Sequence, residues 1–315
     1  MEHKECDILI VGSGPAGMVA GIYGARAGLK VIILEKIAPG GQVMTTGEIE
    51  NYPGFMSITG AELSMKFNEH VESYGVETIY DEIQKFDFNR ELKKIECHDH
   101  IIVAKVVILA LGANPRKTNA VGEEKFVGSG VHFCALCDGS FYKDKDVVVV
   151  GGGNSAVEEV IYLSSIVKRI TVVNVTADFN AQAVLVDKLK TLPNIKAVYH
   201  NSIVKEVVTN DTGLKIGGIL ICGVGKGDEY RNIECGGVFV AIGREPSTAW
   251  LKGIVKRDKY GYIKVDKKLQ TSIEGVFAAG DCVPKHVRQI ITACSDGAVA
   301  ATHAAEYIKS VKKHV

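Results

Sequence analysis

Apolar positions in this chain gather into short unbroken blocks, and two of those blocks run directly into glycine clusters. Residues 6 to 11, CDILIV, meet GSGPAG and then MVAGIYGARAGLK. A block without polar alternation is what a strand buried on both faces requires. The glycines, followed by an Ala- and Gly-rich stretch, predict a tight turn into a helix. A second apolar block, KVIILE, ends at Glu35. The same grammar returns later as DVVVV, GGGNSA, VEEVIYLSSIVKR and ITVVNV, so two βαβ units begin near residues 6 and 146.

Two further segments echo one another: VVILALGANPR at 106 to 116 and GVFVAIGREPS at 237 to 247. Each is an apolar strand followed by Gly, a short polar stretch and Pro, which suits the crossing from one domain to another. Because they bracket the second βαβ unit, the expected domains are a discontinuous one, 1–116 with 246–315, and an inserted one, 117–245. GVFAAGDC and an Ala-rich helix from about Gln289 to Ser310 would complete the first domain. The fold class is therefore α/β: two Rossmann-like, three-layer dinucleotide-binding domains, the second inserted into the first.

Composition narrows the function classes. The 315 residues suit two domains, and 37 Lys+Arg against 37 Asp+Glu leave no bulk field for nucleic acid. The opening MEHKECDILIVG puts charged residues where a secretory signal has its apolar core, and no apolar run reaches transmembrane length. A cytoplasmic setting with no membrane partner is expected. Eight cysteines are scattered through the chain, and in a reducing compartment the CxxC of Cys134 and Cys137 reads as a redox pair or metal ligands.

In the first cluster, Gly12, Gly14 and Gly17 let the backbone turn sharply and approach a pyrophosphate on the helix amides. Glu35, eighteen residues after Gly17, can accept from ribose hydroxyls. Zinc at Cys134 and Cys137 lacks a second CxxC or a spaced His pair, so no metal is assigned. The thiolate is the nucleophile and a helix N-terminus lowers its pKa, while Asp138, directly after the second sulfur, suits a helix cap.

The chain resembles the low-molecular-weight thioredoxin reductases over essentially its whole length. The matching motifs are GSGPAG at 12 to 17, GGQVMTTGEIENYPG at 40 to 54, CALCDG at 134 to 139, GGGNSAVEE at 151 to 159, GVFVAIG at 237 to 243, GVFAAGD at 275 to 281 and RQIITA at 288 to 293. The resemblance implies FAD bound through Gly12, Gly14, Gly17, Glu35, Gly41, Gln42, Asn51, Asp281, Arg288 and Gln289, and a homodimer. It also implies that Cys137 faces the flavin, Cys134 attacks the substrate disulfide and Asp138 protonates the departing thiol. The implied activity is a thioredoxin-disulfide reductase acting on thioredoxin or a thioredoxin-like protein.

The second cluster is Gly151-x-Gly153-x-x-Ala156, and the residue matching Glu35 is Asn174. An acid there favours the ribose of NADH, whereas arginines hold the phosphate of NADPH. The resembling family's arginines are missing: the stretch reads NVTADFN from 174 to 180. NADPH is disfavoured on charge grounds. NADH with Asn174 at the ribose leads, and reduced ferredoxin or a deazaflavin feeding a vestigial nicotinamide site remains an alternative donor. A flavin oxidase or a redox sensor on the same scaffold is a further alternative. Lys168 and Arg169 precede the strand and read as a solvated pair.

Overall fold

The computed structural model describes residues 1–88, 91–225 and 229–311; the expected domain spans include 89–90, 226–228 and 312–315, which lie outside the described residues. The chain splits into two compact units, Met1–Asn114 with Glu245–Val315, and Pro115–Arg244. Among the described residues no helix is long and apolar enough to cross a membrane.

In the first unit the strand Glu2–Val11 lies at the centre of a sheet. It pairs in parallel with Val31–Glu35 on one side and His100–Leu109 on the other, and Val276–Ala278 joins His100–Leu109, also in parallel. The outer strands Lys93–Cys97 and Ile83–Asp87 run antiparallel. Successive side chains of a strand point to opposite faces. Thus Ile8 and Ile10 enter one core, beneath the helices Pro15–Arg26 and Ile290–Val311, while Leu9 and Val11 enter the other, with Phe88, Ile95 and Leu251. The two helices pack closely enough that a Cβ on Gly297 would lie 2.1 Å from Ala16 O.

The second unit repeats the plan. Its parallel sheet runs Val131–His132, Gly237–Val240, Asp146–Val150, Arg169–Val173 and Ile195–Tyr199. Val147 and Val149 face the helix Asn154–Leu163, and Val148 and Val150 face a three-stranded antiparallel sheet of Ser202–Thr209, Ile216–Gly223 and Tyr230–Glu234. Each unit therefore has a glycine turn at the carboxyl end of its central strand, where open α/β sheets bind ligands.

Candidate active site

The two turns are alike atom for atom where their glycines matter. Gly12 has φ +104° and Gly151 φ +144°, and a Cβ on either would strike a carbonyl of the neighbouring strand's end, 2.4 Å from Ala110 O and 2.5 Å from Ala241 O. Those glycines are demanded by the fold. Gly14 and Gly153 are different: both have negative φ, both precede the first helical residue, and a Cβ on either would meet nothing within 4 Å. Open space above a helix N-terminus whose amides face outward suits a phosphate-bearing ligand.

Around the first turn, Glu35 lies where the sequence spacing implies, with Oε2 accepting from Ser13 N at 2.9 Å and Ser13 Oγ at 2.8 Å. Gly40 N donates to Ser13 O, and a Cβ on Gly41 would approach Gly14 Cα at 3.3 Å, so the GGQ segment packs onto the turn. The Gln42 amide donates to Ala113 O and to Asn114 Oδ1. Asn51 Nδ2 donates to Gln289 Oε1 at 3.2 Å, joining residues 238 apart in sequence. Arg288 lies over the Tyr262 ring, donates through Nη1 to Lys285 O, and has its Nε buried with no hydrogen-bond partner. An orphaned guanidinium N–H, an open cradle at Gly14 and a carboxylate beside the turn fit a dinucleotide such as FAD. Asp281 sits in the one-turn helix Gly280–Cys282. Sequence reading missed Asp296, which accepts from Gly280 N at 3.0 Å and pairs with Lys285, fixing that turn. Its place in the last helix gave no pattern to mark it.

In the second unit Cys134 and Cys137 are joined as a disulfide, with Cα atoms 5.3 Å apart. Cys134 caps the short helix Ala135–Asp138, its Sγ accepting from Cys137 N at 3.2 Å. Gly139 lets this turn press against the helix Asn154–Leu163: a Cβ there would lie 2.9 Å from Leu163 Cδ2. Asp138 Oδ2 lies 3.2 Å from Nδ1 of the buried His132, whose Nε2 is 2.7 Å from Tyr142 Oη. Burial pushes the Tyr142 hydroxyl up to about 12, with the Asp138 charge adding to the rise. Among the described residues no cluster of His, Cys, Asp and Glu could hold a metal ion.

Glu159 was quoted in a motif but not singled out as a site residue. It lies on the helix Asn154–Leu163, three residues after buried Ala156 and four before buried Leu163. A carboxylate on a helix's apolar stripe was the available signal. Burial raises its carboxyl to about 7, opposed by the Ala135 amide and by Arg244, and assisted by the Asp138 charge.

Asn174 is 2% exposed and its amide is engaged within the loop. Its Nδ2 donates to Asp178 O at 2.9 Å and lies 3.2 Å from His200 Nδ1, while its Oδ1 accepts from Thr176 N and Oγ1. The side chain lies over Gly152, where a Cβ would be 2.2 Å from Asn174 Oδ1. The segment after it folds back on the turn, Asn180 N donating to Gly152 O and Gln182 N to Asn154 Oδ1. No Lys or Arg occurs between 174 and 187. Arg169 is not merely solvated, since it grips Asp146 through Nε and Nη2.

Two dinucleotide-type turns and a closed dithiol on one α/β chain define a redox enzyme of the disulfide oxidoreductase class. The chain belongs to the pyridine nucleotide-disulphide oxidoreductase family, whose model matches residues 6–297. It is 42% identical to the "34.2 kDa protein in rubredoxin operon" of Clostridium pasteurianum, covering 98% of each chain. It is 38% identical to the thioredoxin reductase of Bacillus subtilis, covering 99% of this chain and 98% of that one. Among solved structures, thioredoxin reductase from Streptococcus pyogenes is similar with TM-score 0.90 and 42% identity, over 97% of this chain and 99% of that one. A ferredoxin-flavin thioredoxin reductase from Clostridium acetobutylicum is similar with TM-score 0.53 and 30% identity, over 98% of this chain and 100% of that one.

Proposed function

We propose that the chain is an FAD-dependent disulfide reductase that passes electrons through Cys134 and Cys137 to thioredoxin or a thioredoxin-like protein. The observation that carries this reading is the closed Cys134–Cys137 disulfide, packed against the helix that opens the second glycine turn. The names of the relatives support thioredoxin as the disulfide substrate. Gly12, Gly14, Gly17, Glu35, Gly41, Gln42, Asn51, Asp281, Arg288 and Gln289 hold the FAD, which when bound supplies two-electron reduction. Cys134 is the sulfur offered to the substrate, Cys137 the resolving sulfur, and Asp138 the acid for the departing thiol. The other six cysteines are buried and in no disulfide, in keeping with a reducing cytoplasm. A homodimer follows from the family resemblance.

For the electron donor we propose NADH ahead of NADPH. Gly153 is not needed by its own turn, so its lack of a side chain is best explained by a nucleotide passing over it. The stretch from 174 to 187 offers no cation to a 2′-phosphate. A second donor reading has its own support: Asn174 is committed internally, and a relative of similar fold is a ferredoxin-flavin enzyme. The test is anaerobic. NADH, NADPH and reduced ferredoxin are added separately to the yellow protein, and bleaching of the flavin band is followed, then turnover with thioredoxin disulfide. Bleaching by NADH and multiple turnover are expected. Bleaching by ferredoxin alone transfers the proposal to the second donor, and the absence of thioredoxin turnover with every donor refutes it.

A further inference from the structure

The helix that carries Cys137 and Asp138, Ala135–Asp138, has four residues, too few to stand by its own hydrogen bonds. In the oxidised chain the Cys134–Cys137 bond closes this turn. A working dithiol opens that bond in every cycle, and the turn must then keep its shape without it. Within the turn, Cys137 N and Asp138 N donate to Cys134 O at 3.2 and 3.1 Å. Beyond it, a polar side-chain contact reaches the parallel sheet: Asp138 Oδ2 lies 3.2 Å from Nδ1 of His132.

His132 is a fixed point. Its strand, Val131–His132, pairs with Gly237–Val240 and sets His132 opposite Phe239. The buried imidazole stacks on the Phe239 ring, 5.5 Å between centroids, and meets the Tyr142 ring edge-on at 5.2 Å. Its Nε2 lies 2.7 Å from Tyr142 Oη, and burial pushes that hydroxyl up to about 12, so the oxygen keeps its proton at neutral pH. A carboxylate offers only acceptors, so the contact with Asp138 calls for a proton on Nδ1, and Tyr142 serves Nε2.

We propose that His132 is a positioning residue for the Cys134–Cys137 dithiol: its buried imidazole holds the Asp138 carboxylate and so keeps the opened turn in the shape from which the disulfide re-forms. The inference rests on the dithiol being the working redox pair, as proposed above. In that reading the Cys134 thiolate attacks the substrate disulfide, and one substrate sulfur leaves with the electron pair. Cys137 then attacks the Cys134 sulfur, the protein S–S bond re-forms, and the second substrate sulfur leaves. Two electrons pass to the substrate, and the two protons of the dithiol end on its two thiols. The second displacement needs Cys137 beside Cys134, which is what the clamp preserves. Losing the clamp frees the open turn more than the closed one, because the S–S bond still restrains the latter.

The experiment uses the full-length holoprotein, equilibrated without oxygen in mixtures of reduced and oxidised dithiothreitol, then acid-quenched, unfolded and alkylated. Eight labelled thiols mark the open form and six the closed one, since the other cysteines are in no disulfide. His132→Asn puts an amide N–H where Nδ1 stands and keeps the contact with Asp138, whereas His132→Gln reaches the Nε2 position beside Tyr142 and loses it. His132→Gln is expected to shift the equilibrium towards the dithiol by about 5- to 30-fold, the backbone freedom of about one residue, while His132→Asn stays with the native protein. Packing between Phe239 and Tyr142 would treat both variants alike, so equal shifts, or none, overturn the inference. Proton-transfer rates do not enter an equilibrium, so the acid role proposed for Asp138 cannot produce the expected result. If urea unfolding shows that neither His132 variant folds, Asp138→Ala carries the test at a less buried position. It removes the same contact and is expected to shift the equilibrium the same way; an unshifted equilibrium overturns the inference. If dithiothreitol never opens the native disulfide, the redox-pair reading itself fails; if it opens and these variants leave its equilibrium in place, only the role of His132 fails.

Discussion

Replacing Gly14 by alanine separates what the fold requires from what a ligand requires. At Gly12 the answer is the fold: φ is +104° and a Cβ would lie 2.4 Å from Ala110 O. Left-handed strain and a backbone clash together cost about 3 kcal/mol or more. Gly14 has φ −72° and ψ −178°, which any residue adopts, and nothing lies within 4 Å of its Cβ position. Alanine there reduces unfolded-chain entropy by about 0.4–1 kcal/mol in favour of folding, against about 0.5–1 kcal/mol lost at the helix cap, where glycine is preferred to alanine. The flavin-free Gly14→Ala protein should therefore unfold in urea within about 0.5 kcal/mol of the native one. FAD binding should suffer, because a methyl forced into the path of a pyrophosphate costs about 1–3 kcal/mol, or roughly 5- to 150-fold in affinity. Fluorescence titration of FAD into both apoproteins measures this directly. Unchanged affinity in Gly14→Ala, or a stability loss matching Gly12→Ala, refutes the reasoning. Gly153→Ala is the counterpart in the second unit and should slow flavin bleaching by NADH while leaving urea stability unchanged.

Cys134→Ser and Cys137→Ser should each reduce thioredoxin-disulfide turnover to background while flavin bleaching by the donor survives; full turnover in both variants would exclude the dithiol route. Asp81 is predicted to stabilise the fold in a pH-dependent way. Burial alone would raise its carboxyl, but His100 and the amides of Asp99, Glu82 and His98 hold it down to about 2. Because the folded value lies below the unfolded value of about 3.9, the contribution is complete above about pH 4 and disappears as pH falls through about 2. It amounts to about 2 kcal/mol at neutral pH, so Asp81→Asn should lower urea stability by that much at pH 7 and progressively less in acid. Thr59→Ala removes a capping box in which Glu62 N donates to Thr59 Oγ1 at 3.2 Å and Thr59 N to Glu62 Oε2 at 3.1 Å. It should cost about 1 kcal/mol in thermal or urea unfolding.

Features set by the backbone were the legible ones. Unbroken apolar blocks marked residues 6–11 of Glu2–Val11 and Asp146–Val150, because strand segments buried on both faces tolerate no polar face; the largely exposed residues 2–5, which the structure adds to the first strand, carried no such signal. Glycine spacing marked the turns because Gly12 and Gly151 need positive φ and a close carbonyl, conditions that only the residue type satisfies. Side-chain direction was hidden. Counting from the turn reached Asn174 as the partner of Glu35 by position, yet Glu35 accepts from Ser13 beside its turn whereas Asn174 binds the loop from Thr176 to Asp178. Spacing fixes where a strand ends and leaves open where its last side chain points. Glu159 was hidden for a related reason, since a single position along the helix decides whether a carboxylate faces solvent or the protein: Glu158 is exposed, whereas Oε2 of Glu159 is buried. The middle glycines carry the remaining information. Neither Gly14 nor Gly153 is demanded by backbone or neighbours, so the absence of a side chain at each is explained by a ligand. Both turns are thus open to a phosphate-bearing ligand, and the absence of Lys and Arg from 174 to 187 leaves the second without a cation for a 2′-phosphate.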